Sequence, residues 1–148
     1  MAKIDILFKK LLEAGGSDLH LEQGQVPKMR LHGEILNISN DVLDEVSLGE
    51  MLREITPEKL WNKYTKTGDL DFAYEMGSSA RFRVNYFRHF DGFGGVFRII
   101  PTKILTLEKL QAPEIFRKFG KLRSGLVLVT GPTGSGKSTT LAAILDFI

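Results

Sequence analysis

The sequence GPTGSGKS at positions 131–138 constrains this chain more than any other feature. It fits the pattern G-x-x-x-x-G-K-[ST], in which glycines allow successive backbone N–H groups to point at phosphate oxygens. Such a loop must join a buried strand to the start of a helix. Both flanks favour this context, because 126–130 is an apolar, mostly β-branched run and 137–148 carries apolar residues at helical spacing. We predict a parallel strand covered on both faces, then a phosphate-binding loop and a helix.

Each residue type in this loop has a predicted role in nucleotide binding. Lys137 supplies a positive charge to the β- and γ-phosphates of ATP, and the Ser138 hydroxyl coordinates Mg²⁺. ATP and Mg²⁺ are therefore the predicted cofactors, with Lys137 as a catalytic residue and Ser138 as the metal ligand. The predicted nucleotide-binding residues are Gly131, Pro132, Thr133, Gly134, Ser135, Gly136, Lys137, Ser138 and Thr139. The alternative is a glycine-rich strand-to-helix turn with an incidental lysine.

Hydrolysis needs more than this loop provides. An acidic residue must hold the water shell of Mg²⁺ and another group must position the attacking water, and in phosphate-loop domains both come from later strands. Only ten residues follow Ser138, which is enough to finish one helix. We therefore expect the chain to be the front part of a longer ATPase and to be inactive by itself.

The composition excludes several classes of protein. The 148 residues are 43% hydrophobic and 26% charged, as in globular domains, and contain no apolar run long enough for a membrane span and no N-terminal signal sequence. Zero cysteines exclude disulfides and thiolate metal sites. A net charge of +2 is too small to indicate a nucleic-acid partner. We expect a cytoplasmic protein.

Residues 1–101 are predicted to form a separate α+β domain. An apolar helical stripe runs from Ile4 to Leu12, and 18–22 with 28–32 alternate as a hairpin. Helices are predicted to begin at a Ser47–Glu50 capping box and at Thr56-Pro57. After residue 69, apolar and polar residues alternate, which predicts three antiparallel strands at 69–75, 81–90 and 94–100.

The middle strand of this set has two contrasting faces. Its apolar face is predicted to contain Phe82, Val84, Tyr86 and Phe90, and its polar face Arg81, Arg83, Asn85 and His89. A solvated sheet face is the interpretation favoured by the pattern alone. The alternative is that the arginines face the phosphates bound by the loop.

A connector over 102–123 separates this domain from the start of the second, at 124–148. Thr106 is predicted to cap a turn, Pro113 to open a short helix and Gly120 to end it.

Motifs spread over most of the chain resemble the secretion ATPase superfamily, and in particular the PilT-type ATPases that retract type IV pili in twitching motility. The matching pieces, in order, are Gly16-Ser17-Asp18-Leu19-His20-Leu21, 27–33, Arg81-Phe82-Arg83-Val84-Asn85, 96–101, Leu105-Thr106-Leu107, Ala112-Pro113, 125–130 leading into the phosphate loop, and 138–143.

This resemblance implies a PAS-like N-terminal domain, a linker and the first unit of a RecA-like ATPase domain. It implies a hexameric motor that acts from the cytoplasmic face on an inner-membrane pilus platform protein, without a membrane span of its own. Arginines of the N-terminal domain approach the nucleotide in this superfamily. The matching catalytic candidates here are Arg83 and Arg98, with Arg81 as a lesser one.

We assign structural rather than catalytic roles to three other residues of these motifs. Ser17 and Asp18 stand at a strand entry, where such residues usually cap or turn the backbone. His20 is a lone strand histidine, which is more often satisfied than catalytic.

Two alternatives stay open. A pilus assembly or type II secretion ATPase shares the same core, although a chain that begins directly with the PAS-like unit resembles the retraction type more. A non-enzymatic module that mediates oligomerisation and binds phosphate without turnover is the second alternative.

Overall fold

The computed structural model describes residues 2–101, 104–132 and 135–148. The chain divides into two compact units, Met1–Ile100 and Pro101–Ile148. Each unit has its own cluster of buried hydrophobic side chains. The mixed α+β class predicted from the sequence is confirmed.

Within its described residues, the first unit has three helices and one six-stranded antiparallel sheet. The helices are α1 (Asp5–Ala14), α2 (Glu45–Glu54) and α3 (Glu58–Thr67). The strands are β1 (Asp18–Glu22), β2 (Lys28–Leu31), β3 (Glu34–Asn37), β4 (Asp69–Met76), β5 (Ala80–His89) and β6 (Gly92–Ile100). Their order in the sheet is β3-β2-β1-β6-β5-β4. The predicted first hairpin and the three strands after residue 69 are confirmed.

The core lies on the face of the sheet that the helices cover. Phe82, Val84 and Tyr86 of β5 are fully buried, as their alternation predicted. The Phe8 ring of α1 stacks on the Phe82 ring with centroids 4.1 Å apart, and the Tyr64 ring of α3 meets the Tyr86 ring edge-on at 5.4 Å. These aromatic contacts fix the helices on one face of the sheet. The alternate residues of β5 therefore lie on the opposite face.

The starts of α2 and α3 differ from prediction. Helix α2 begins at Glu45 because Asp44 accepts a hydrogen bond from the Ser47 N–H at 2.7 Å and caps the helix three residues before the predicted cap. Thr56 does not cap α3, since its buried hydroxyl donates to the Leu52 carbonyl oxygen at 2.5 Å. The hydroxyl satisfies a carbonyl near the end of α2 instead.

Phe90 also departs from prediction. It was placed on the buried face with Phe82, but it is fully exposed. Strand β5 ends at His89, so Phe90 lies in the turn that leads to β6 and no longer follows the alternation of the strand.

The second unit is smaller. In its described residues it contains α4 (Ile115–Gly120) and α5 (Lys137–Phe147). Leu107, Ala143 and Ile144 form its buried cluster, and Thr106 Oγ1 accepts a hydrogen bond from the Lys109 N–H at 3.3 Å, as predicted for a cap. In the parts of the chain that the structure describes, no helix combines the length and apolar character that crossing a membrane requires.

The strand predicted at 126–130 is not formed. Leu126 and Leu128 are 81% and 74% exposed. A parallel strand is stable only when it pairs with neighbours and both its faces are covered. The strands of the described residues all belong to the antiparallel sheet of the first unit, so this segment has no strand to pair with. The prediction of a buried parallel strand is therefore wrong for this structure.

Candidate functional site

The loop at 131–138 has backbone conformations that favour glycine. Gly136 has a φ of 85° and directly precedes α5, and Gly131 has a φ of 150°. A Cβ atom at Gly131 would also lie 2.8 Å from the Ser135 Oγ. Both positions therefore require a residue without a side chain. Thr133 and Gly134, which the sequence also assigned to nucleotide binding, lie outside the described residues.

The first turn of α5 presents free backbone donors. The Thr140 N–H makes the first helical hydrogen bond, to the Gly136 carbonyl oxygen at 2.9 Å. Helix geometry leaves the N–H groups of Lys137, Ser138 and Thr139 without a helical acceptor. No side chain caps this end of the helix, and Ser138 and Thr139 are exposed. The three N–H groups and two hydroxyls are thus available to an anion.

Lys137 folds back over the loop. Its Nζ donates a hydrogen bond to the Pro132 carbonyl oxygen at 2.6 Å, and the Ser135 N–H donates to the same oxygen at 3.3 Å. The ammonium is therefore held at the loop, where a bound phosphate would meet it. This combination of a cation, backbone N–H groups and hydroxyls suits a polyphosphate.

The Ser138 hydroxyl is the candidate ligand for Mg²⁺. Among the described residues, no three or more histidine, cysteine, aspartate or glutamate side chains are grouped so as to hold a metal ion. An Mg²⁺ ion with one protein hydroxyl would take most of its remaining ligands from phosphates and water, as is usual for this ion.

The two arginines singled out by the sequence are neighbours on the open face of the first unit's sheet. Arg83 of β5 and Arg98 of β6 are directly opposite each other. On the other side of Arg98, the register continues to Asp18 of β1 and then Arg30 of β2. These four residues form the arginine row. Two like charges directly opposite each other are unfavourable, so the carboxylates beside them matter for the stability of the sheet.

Asp18 is the buried centre of the arginine row. Its side chain is only 4% exposed; Oδ1 accepts a hydrogen bond from Arg98 Nε at 2.7 Å, and Oδ2 lies 3.5 Å from Arg30 Nε. The Ser17 hydroxyl donates to Oδ2 at 2.8 Å. The prediction that Asp18 caps or turns the backbone is therefore incomplete, because its carboxylate pairs with a residue 80 positions away. No local signal reveals this partner, which depends on the register between β1 and β6.

Arg83 and Arg98 differ in how they are held. Arg83 donates from both Nε and Nη2 to the exposed Asp71 carboxylate. Arg98 is held through Nε alone, so its two terminal nitrogens have no partner in the described part of the chain. The lesser candidate, Arg81, lies 3.5 Å from Glu75 in an exposed pair. Arg98 is thus oriented by a buried carboxylate and still able to bind a second anion.

His20 lies on the same face of β1 as Asp18. It is half-buried, and its Nε2 makes no hydrogen bond to any described residue. Burial lowers the pKa of His20 below its usual value, which favours a neutral ring. A neutral ring adds no positive charge to the arginine row.

The Asp18 carboxylate makes folding stability depend on pH. Burial acts to raise the pKa of Asp18, but the hydrogen bonds from Arg98 and Ser17 outweigh it and the pKa is lowered. A lowered folded-state pKa contributes stability that is present above the unfolded value of about 4 and is lost as the pH falls through the folded value. We expect the difference in unfolding free energy between the wild type and Asp18→Asn to shrink between pH 7 and pH 3, as measured by urea unfolding. A difference independent of pH would contradict this role of the ion pair.

Comparisons with known proteins identify the family of this chain. A model of the family described as "Type II/IV secretion system protein" matches residues 2–148. The chain is 44% identical over 134 residues to the "Type IV pilus retractation ATPase PilT" of Pseudomonas aeruginosa, covering 90% of this chain and 39% of that protein. It is 43% identical over 122 residues to a "Twitching motility protein" of Neisseria gonorrhoeae, covering 82% of this chain and 33% of the relative.

A solved structure shows the same likeness. The crystal structure of the pilus retraction motor PilT with bound ADP superimposes with a TM-score of 0.86 at 32% identity, covering 99% of this chain and 43% of that one. The chain thus spans about two fifths of the PilT proteins it matches. The family resemblance predicted from the sequence motifs is confirmed. The chain belongs to the type II/IV secretion system protein family.

Proposed function

We propose that this chain is the N-terminal part of a motor ATPase that retracts type IV pili. The observation that carries the proposal is the loop at 131–138, in which Lys137 folds onto the Pro132 carbonyl beside an uncapped helix N-terminus. The names of the two relatives, a pilus retraction ATPase and a twitching motility protein, favour retraction over pilus assembly, type II secretion or a non-enzymatic module.

The proposed roles follow from the chemistry of each group. Backbone N–H groups at the start of α5 and the Lys137 ammonium bind the phosphates of ATP, and Ser138 contributes a hydroxyl to Mg²⁺. Mg²⁺, when bound, neutralises charge on the phosphates. Arg83 and Arg98 stabilise the charge that develops during phosphoryl transfer. The acidic residue and the water-positioning group lie outside this chain in the proposal, so the 148 residues bind ATP without turning it over.

The proposed organisation keeps the three regions expected from the sequence. Residues 1–101 form a PAS-like domain, 102–123 a linker, and 124–148 the start of a RecA-like domain whose further strands would pair with 126–130. The antiparallel sheet with helices on one face supports the first assignment, and the exposed leucines at 126 and 128 support the last. In the whole protein we propose a hexamer at the cytoplasmic face of the inner membrane, acting on the pilus platform protein.

Binding of ATP to the 148-residue chain tests the loop directly. We expect Lys137→Ala to weaken the binding of Mg²⁺-ATP by about one to two orders of magnitude, because a desolvated charge pair with the phosphates is lost. Isothermal titration calorimetry measures both affinities.

Lys121→Ala is the matched control, since this lysine is exposed in the same unit and lies outside the loop. Its affinity for ATP should equal that of the wild type. Equal loss in both variants, or no loss in Lys137→Ala, would refute the nucleotide site. If the 148-residue chain hydrolyses ATP and Lys137→Ala abolishes this activity, the proposal that the other catalytic groups lie outside the chain is wrong.

A further inference from the structure

The Asp18 carboxylate lies beside Arg98 in the sheet, because the register of β1 on β6 places the two residues opposite each other. The carboxylate is buried, whereas the Arg98 side chain is largely exposed. The hydrogen bond from Arg98 Nε to Asp18 Oδ1, at 2.7 Å, therefore holds the inner edge of the guanidinium at the sheet. Within the described residues, the two terminal nitrogens of Arg98 have no partner.

Asp18 is itself fixed by contacts other than Arg98. Its Oδ2 accepts a hydrogen bond from the Ser17 hydroxyl at 2.8 Å and lies 3.5 Å from Arg30 Nε. The Ser17 N–H donates to the Arg30 carbonyl oxygen at 2.9 Å, and the Ser17 carbonyl oxygen accepts from the Ile99 N–H at 3.1 Å. The backbone next to Asp18 is thus bonded to the strands on both sides. The carboxylate has a fixed position from which it can orient Arg98.

The two candidate catalytic arginines differ in this respect. An exposed arginine side chain samples many rotamers, and an ion pair between two exposed side chains restricts it only weakly. The pair of Arg83 with Asp71 is of this exposed kind. A buried carboxylate is less screened by solvent and ions, so it holds its partner more firmly. Arg98 is therefore the arginine that is oriented before a ligand arrives.

We propose that Asp18 is a positioning residue for ATP hydrolysis and acts only through Arg98. In this role it touches neither nucleotide nor metal. It fixes Nε so that the terminal nitrogens of Arg98 can bind the phosphate oxygen on which charge develops. The inference rests on the proposed function, because it requires Arg98 to act on the phosphates. Asp18 thus affects the rate of turnover as well as the stability of the sheet.

ATP turnover by the full-length protein tests this role. We expect Asp18→Asn to lower kcat by about ten- to a hundredfold, because a displacement of about 1 Å in a catalytic group has effects of this size. KM for ATP should change by less than about threefold, since Arg98 acts in the transition state. Phosphate release over a range of ATP concentrations measures both constants.

Arg98→Lys tests the same geometry from the other partner. The lysine keeps the positive charge, but one ammonium cannot bind Asp18 and also present two terminal nitrogens to a phosphate. We expect this variant to lose at least about tenfold in kcat. If Asp18→Asn does not fold under assay conditions, as judged by urea unfolding, Arg98→Lys decides the question because it leaves Asp18 in place.

A double-mutant cycle separates positioning from a general loss of structure. If Asp18 acts through Arg98, adding Asp18→Asn to Arg98→Ala should lower kcat by less than about threefold beyond Arg98→Ala alone. Asp5→Asn is the matched control, because Asp5 is also a buried aspartate of the first unit. Its carboxylate accepts hydrogen bonds from the Tyr74 hydroxyl at 3.0 Å and the Ala2 N–H at 2.9 Å. This control should keep the kcat of the wild type.

The outcomes distinguish this inference from the proposed function. Full turnover in a folded Asp18→Asn or in Arg98→Lys overturns the positioning role. An equal loss in Asp5→Asn, or an undiminished further loss when Asp18→Asn is added to Arg98→Ala, overturns it as well. If Arg98→Ala itself keeps full turnover, the proposed catalytic role of Arg98 fails. Binding of ATP that depends on Lys137 would still support the nucleotide site in that case.

Discussion

Replacing Arg98 with alanine is expected to lower the ATP turnover of the proposed full-length motor by about 10³-fold, the lower end of the effect of arginines that contact a transferring phosphoryl group. Arg98 is suited to this role because its side chain is 67% exposed while its Nε is fixed by the buried Asp18 carboxylate. Its two terminal nitrogens remain for a phosphate oxygen. The loss should appear in kcat, measured by phosphate release at saturating ATP, because the interaction develops in the transition state.

Substitutions at two other arginines of the same sheet face are compared with Arg98→Ala. Arg83→Ala should also reduce turnover, since Arg83 lies directly opposite Arg98 in the sheet. Arg81→Ala should reduce turnover least of the three, because this lesser candidate pairs with the exposed Glu75 and not with the buried Asp18. Full turnover in both Arg83→Ala and Arg98→Ala would show that the assignment of the catalytic arginines is wrong. An equal loss in Arg81→Ala would indicate a general effect of charge.

Replacing Phe82 with alanine is expected to destabilise the first unit by about 3–5 kcal/mol, because the truncation leaves a cavity under a fully buried ring. The Phe8 ring stacks on this ring and would lose its partner. Urea unfolding followed by the fluorescence of Trp61, the one tryptophan of the chain, reports on this unit.

Phe90→Ala is the matched control for this experiment. The same truncation at a fully exposed phenylalanine in the next turn should change stability by less than about 0.5 kcal/mol. Similar losses for the two variants would mean that Phe82 is not a core residue.

Structural features that depend on residues close together in the sequence were predicted best. The apolar stripe of α1 and the alternation in β5 were sufficient to predict the helix, the strand and the buried face, because these periods are set by backbone geometry. Phe90 was misplaced since the pattern does not reveal where the strand ends. Asp44 was missed as a cap because Ser47, three positions later, also fits a capping pattern.

What the sequence could not predict depends on partners far along the chain. The ion pair of Asp18 and Arg98 joins residues 80 positions apart and requires the register of β1 on β6. The segment at 126–130 has the composition of a buried strand, yet a strand forms only where a neighbour supplies hydrogen bonds. For the candidate site, the loop motif predicted the glycine positions at 131 and 136, whereas the contact of Lys137 with the Pro132 carbonyl emerged only from the structure.

The position of Arg98 near the end of β6 has a mechanical consequence. β6 ends at Ile100, two residues beyond Arg98, and the chain passes directly into the second unit at Pro101. β6 pairs with β5 over 92–100 and with β1 over 94–98, so hydrogen bonds on both sides oppose a pull on this strand at Pro101. The same pairing holds Arg98, Asp18 and Arg83 at adjacent positions on three neighbouring strands. The spacing between the two arginines is thereby set by the register of β5 on β6.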